Sequence, residues 1–270
     1  MGQQVPSNTP PQQPFPLETI CIFVNAKKMT SDTGSHIRFE AHQHLAKKLF
    51  NDYKVLFAQQ FEKVDWPHVH RTLSEKVPKL FQLWACKQVM RIAPTDKYMS
   101  YRENRCTKFP CCTVEVETAE HILHCHEAGI VEALHATTDC LESWMGKMET
   151  DPNLAEILSE FVHERGSESM EAIWFGRPSR FSVLARSQDA IGWKRLLEGM
   201  ISVEIAKLQQ QHLQVLGSRM SFDGWMTGLI IKLLEITHGH RLYCNVMVHD
   251  NITGTLVTER KEEIQLEIER

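Results

Sequence analysis

The sequence predicts a mostly α-helical protein: an irregular multi-helix domain with a small zinc-knuckle-like insert and a short β hairpin near its N-terminus. Three observations lead there. Apolar residues recur at helical spacing from about position 36 almost to the end of the 270-residue chain. Acid–proline starts stand at Asp65 with Pro67 and at Asp151 with Pro152. Cysteines and histidines crowd into one stretch, "RCTKFPCCTVEVETAEHILHCH", from Arg105 to His126.

The elements follow in order. Residues 1–16, "MGQQVPSNTPPQQPFP", hold too few apolar side chains to fold and read as a disordered tail. "ICIFVNAKKM" (20–29) is a short β-branched run suited to a small hairpin. Ser35 is expected to cap a helix starting near His36, with Ile37, Ala41, Leu45 and Leu49 on one face. Asp65 starts the next helix. Pro78 restarts the chain, and Leu80, Leu83 and Trp84 predict a buried helix in which Cys86 is a small core side chain. Residues 117–148 predict a helix or helix pair, and 151–166 another. The longest periodic stretch, 187–216, is followed by a second at 221–250 and a charged tail at 255–270. No repeat of 30 to 40 residues is present. The expected organisation is a tail (1–16), an N-terminal helical subdomain (17–105), a knuckle-like segment (106–126) and a C-terminal helical region (127–270).

Composition limits the function classes. Hydrophobic residues at 42% and charged residues at 24% are those of a folded, water-soluble chain. There is no apolar run of about 18 residues to span a membrane, and no secretory start. Eight cysteines then read as reduced thiols or metal ligands in nucleus or cytoplasm rather than as disulfides. A net charge of −4 confines any nucleic-acid role to local patches.

Zinc takes four ligands in a tetrahedron, from thiolates and imidazoles. His121 and Cys125, four apart, share one face if the segment is helical, and Thr118 stands at a plausible helix start. Cys112 supplies a third ligand. The position three before it is Phe109, where a knuckle would carry Cys, so Cys106 or Cys111 is the expected fourth. His124 and His126 are spare donors. Such a site would be structural, since no H-E-x-x-H provides a base beside an open position. The alternative is a set of reduced structural thiols without metal. His240 and Cys244 repeat the four-residue spacing, but no second pair is near them in sequence.

No nucleophile elbow, P-loop or dinucleotide fingerprint is present, and no enzyme is expected. The six tryptophans lie in apolar helical contexts and read as core rather than as stacking platforms. From Arg177 to Arg219 seven basic residues face three acidic ones. Arg177, Arg180, Arg186, Lys194 and Arg195 are therefore candidates for contact with DNA or RNA phosphates, the alternative being an ordinary solvated helix face.

Taken together, "VDWPHVHRTLSEKVPKLFQLWACKQVM" (64–90), the cysteine stretch, "SQDAIGWKRLLEGMIS" (187–202) and the 221–250 segment carry a resemblance. Across roughly residues 20 to 270 the chain resembles the region downstream of the polymerase in retroelement-type reverse-transcriptase proteins of algae and other protists. That family has a Cys-Pro-x-Cys, a Glu-Thr, and a His-x-Leu followed by a Cys. The matching residues are Phe109, Pro110, Cys111 and Cys112; Glu117 and Thr118; and His121, Leu123 and Cys125. The resemblance implies zinc ligands at Cys112, His121 and Cys125, departs from the family at Phe109, and implies an accessory, nucleic-acid-associated segment without a polymerase. A second expectation is a metal-free helical module that binds a protein partner through "ERKEEIQLEIER" (259–270).

Overall fold

The computed structural model describes residues 22–24, 27–29, 33–93, 95–102, 106–109, 112–176 and 179–253. The polar tail at 1–16 and the acidic and basic C-terminal segment at 259–270 lie outside them. The described chain is mostly α-helical, as predicted. It divides into two units, residues 1–49 and 50–270. No helix among the described residues is long and apolar enough to cross a membrane.

In the first unit, β1 (Ile22–Val24) pairs antiparallel with β2 (Lys27–Met29), with Ile22 opposite Met29. Helix α1 (Thr33–Asp52) follows and continues past the unit boundary. Its expected core stripe is instead open to solvent: Leu45 is 62% exposed and Leu49 44%.

The second unit begins with α2 (Ala58–Phe61) and α3 (Trp66–Arg71), the latter started by Asp65, whose carboxylate accepts the His68 N–H at 3.3 Å. A π turn (Thr72–Lys76) leads to α4 (Lys79–Val89) and α5 (Asp96–Ser100). Here the sequence expectation is corrected. Leu80 is 82% exposed and Leu83 46%, Cys86 is exposed, and α4 buries Ala85 and Gln88 instead. Helical spacing predicts that a stripe exists, but what packs around a helix decides which face is covered.

The single-turn α6 (His121–His124) precedes α7 (Ala128–Lys147), so the 117–148 stretch is a helix pair. Helix α8 (Pro152–His163) starts where expected: Asp151 accepts the N–H groups of Asn153 and Leu154. After α9 (Met170–Trp174), the long periodic stretch proves to be three helices: α10 (Ser182–Ile191), α11 (Trp193–Leu197) and α12 (Val203–Leu216). Gly192 (φ 103°) and Gly199 (φ 80°) break it, in backbone conformations that side-chain-bearing residues rarely adopt. Ser202 then caps α12 by accepting from Glu204 and Ile205.

Helix α13 (Phe222–Thr253) is the mast of this unit. It buries Trp225, Met226, Leu229, Ile230 and Leu233, packs on α7, α3, α6, α11 and α12, and its Trp225 indole donates to Thr150 at 2.9 Å. All six tryptophans are buried or half-buried. The expected boundary near residue 105 is absent. Residues 63–65 are stitched to 201–203 by Asp65 N–H to Ile201 O and Val203 N–H to Lys63 O, each 2.9 Å, so the segment before the knuckle belongs to the same body as the helices after it.

Candidate metal centre and the groove beside it

A tight hairpin sets the first donor. Phe109 donates its N–H to Glu115 O at 2.7 Å, Glu117 to Thr107 O at 2.8 Å, and Thr113 closes the turn onto Phe109 O at 2.7 Å. Thr113 takes a left-handed φ of 57° to do so. Side chains alternate along the first strand. Phe109 is fully buried, Lys108 exposed, Thr107 half-buried and Cys106 exposed. The expectation that Cys106 completes the donor set is therefore corrected: its parity turns it outward, and it does not join the cluster. Cys111, the other expected fourth ligand, lies outside the described residues.

Cys112, His121 and Cys125 do converge, with their ligand atoms within 4.8 Å of one another. His121 Nε2 lies 3.3 Å from Cys112 Sγ. Thr118 Oγ1 accepts the His121 N–H at 2.9 Å and fixes the start of α6. The helix is only one turn long, and Cys125 leaves it in an extended conformation (φ −60°, ψ 131°). Arg165, just past α8, replaces helical pairing there: its Nη2 donates to Leu123 O at 3.1 Å and to Cys125 O at 2.6 Å.

The histidine is oriented from behind. Glu115 Oε2 accepts from His121 Nδ1 at 2.9 Å, which leaves the Nε2 lone pair facing the thiols. A carboxylate behind an imidazole is how metal-binding histidines are commonly held. Phe109 meets the His121 ring edge-on, centroids 5.1 Å apart, and walls off one side. The spare donors turn elsewhere: His124 packs on Trp193 at 4.9 Å, where burial lowers its pKa, and His126 is exposed.

Of the five basic candidates, Arg177 lies outside the described residues. Arg180 pairs with Asp151 at 2.8 Å and stacks over Phe181, and Arg186 lies 3.9 Å from Glu171. Arg195 is a correction. It is 5% exposed and paired with the buried Glu198, so it holds the core and offers nothing to phosphate. Lys194 does reach a surface. It lines a groove of about 340 Å³ with Arg91, Lys97, Tyr98 and Tyr101, and Thr118 to Glu120, the turn that leads into His121, line it too, with Lys194 Nζ 3.1 Å from Glu120 Oε2. Burial pushes the Lys194 ammonium below its ordinary range. Burial raises Glu120, but Lys194 and Arg91 outweigh that and hold its carboxyl low. Arg91, Lys97, Tyr98 and Tyr101 are not among the expected site residues, although "RIAPTDKYMSYR" (91–102) interleaves cations with tyrosines.

No protein-family model, curated protein or solved structure matches this chain.

Proposed function

We propose that this chain is a non-catalytic, nucleic-acid-associated helical domain braced by a structural zinc ion at Cys112, His121 and Cys125. Two thiolates and one imidazole form a soft donor set that suits zinc, and the tetrahedral preference of the ion matches a closed structural site. The observation that carries the reading is the continuity of donors and groove. Thr118, whose hydroxyl sets the His121 turn, also walls the groove lined by Arg91, Lys97 and Lys194 and by two tyrosines. An ion at the donors would stiffen that wall.

Three cations against Glu120 attract phosphate, and exposed Tyr101 beside half-buried Tyr98 provides stacking faces for unpaired bases. Arg102, 5.8 Å over the Tyr98 ring, adds charge at the rim. This fits the resemblance to a segment downstream of a retroelement polymerase, as a remnant that keeps an accessory binding role.

The test has two arms. Elemental mass spectrometry of protein purified without added zinc should give about one zinc per chain, lost in Cys125→Ser. Fluorescence anisotropy with a labelled single-stranded oligonucleotide should show binding that weakens with salt. In the double variant Arg91→Ala/Lys97→Ala the slope of log K against log salt should fall by about 1.4, near 0.7 for each cation removed on single strands. Binding unchanged by that variant would remove nucleic acid from the groove.

A second reading, a protein-interaction module, has its own observation. Leu80 and Leu83 stand exposed on α4, while Phe81 of the same helix lines a cavity of about 300 Å³ with Leu141, Ile236 and His238.

A further inference from the structure

We propose that the outer face of α4 docks an acidic amphipathic helix of a partner protein, with Leu80 and Leu83 as its apolar anchors and Lys79 and Lys87 as the cations beside them. This rests on the protein-interaction reading and names the partner's chemistry. It is independent of the metal centre and the groove, so neither zinc content nor oligonucleotide binding decides it.

Helix α4 does not turn its leucines inward, because its opposite face is already engaged. Ala85 and Gln88 are buried there. The Gln88 amide donates to Ala119 O at 3.2 Å, and the Phe81 and Trp84 rings lie 5.1 and 4.6 Å from the His238 ring of α13. At 3.6 residues per turn, Leu83 stands about 160° around the helix axis from Ala85 and about 60° from Leu80. Both leucines are exposed. A lone exposed leucine is ordinary surface. Two of them three residues apart, on the outer face of an anchored helix, have the spacing by which one helix grips another.

Charge selects the partner. From Lys76 to Thr95 the chain carries Lys76, Lys79, Lys87 and Arg91 and no carboxylate. Arg91 turns toward Glu120, 3.9 Å away. Lys79 and Lys87 are exposed, and among the described residues no carboxylate pairs with either; Lys79 Nζ donates to the Gln82 amide oxygen at 2.8 Å. They stand four residues before and four after Leu83, so they bracket it on one face. A partner helix that covers the leucines also comes against these ammonium groups, and glutamates or aspartates beside its apolar stripe complement them. Nucleic acid would use the lysines and leave the leucines in water. An anionic bilayer would use both, but the helices that lie in a membrane surface carry a long apolar strip, and two leucines one turn apart are a short one.

The test is fluorescence anisotropy of the full chain with a labelled synthetic peptide of about five helical turns, leucine at i, i+3, i+4 and i+7 and glutamate elsewhere. This peptide should bind, and its counterpart with lysine in place of glutamate should bind about tenfold or more weakly. Leu80→Ser/Leu83→Ser, at exposed positions and with its helical circular dichroism retained, should lose about tenfold or more in affinity for the glutamate peptide. Lys79→Glu/Lys87→Glu should turn the preference toward the lysine peptide, a reversal that a merely damaged fold does not produce. A lysine peptide that binds wild type as tightly as the glutamate peptide would overturn the partner's chemistry and leave the protein-interaction reading standing. Binding of neither peptide would remove both. Retention on phosphatidylcholine–phosphatidylserine vesicles, lost in Leu80→Ser/Leu83→Ser and without peptide binding, would overturn the proposal in favour of a membrane surface.

Discussion

Glu117 and Arg241 form a 3.0 Å ion pair with side chains only 9% and 11% exposed, joining the hairpin before α6 to the mast helix α13 across 124 residues of sequence. Removing one partner strands a buried charge, whereas removing both does not. Arg241→Leu or Glu117→Leu alone should cost about 3–5 kcal/mol, and the double variant clearly less than the sum. Urea unfolding of the three variants checks this. Equal losses that simply add would mean the pair is solvated and energetically idle.

Glu115 should matter to metal and not to folding. Its side chain is 68% exposed, yet it holds His121 Nδ1. Glu115→Gln should weaken zinc affinity by about 10- to 100-fold, read by competition with a chelating dye, while leaving the unfolding free energy of the metal-free protein within about 0.5 kcal/mol of wild type.

Gly228 of α13 is where a methyl group does not fit. A Cβ there would lie 2.5 Å from Cζ2 of Trp144, a rigid indole packed 6.4 Å from the Trp225 ring. Gly228→Ala gains helix propensity but overpacks this contact, and the clash should win by about 1–3 kcal/mol. A thermal midpoint that rises in the variant would show that the indole moves aside cheaply.

His68 gives the α3–α13 contact a pH dependence. Its Nδ1 lies 2.9 Å from Asp65 and its Nε2 3.1 Å from Asp223. Burial lowers its pKa, but the two carboxylates outweigh burial and raise it above 6.5. A histidine with a raised folded pKa stabilises fully below its unfolded value, and that contribution is lost as pH rises through the folded one. Wild-type thermal stability should therefore decline on the alkaline side of about pH 6.5, and His68→Gln should flatten the decline. In Asp223→Asn the His68 imidazole should titrate lower by NMR, and an unchanged titration would exclude the bridge.

Local chemistry carried much of this protein in its sequence. The Asp65 and Asp151 helix starts, the mast helix and three convergent donors were readable because caps, helical period and short ligand spacings act within a few residues of each other. Other features were decided only by tertiary structure. The Leu80–Leu83 stripe is as apolar as a buried one, yet no element among the described residues covers it. Arg195 looks like a phosphate contact until Glu198 takes it into the core. The groove joins Lys194 to Arg91, Lys97 and Tyr101 from about a hundred residues away, and Cys244 reaches the Cys125 cluster from the far end of the chain. In each case the cause is the same: which surfaces become buried, and which distant side chains meet, is set by the packing of whole helices around α13, and no local pattern encodes that arrangement.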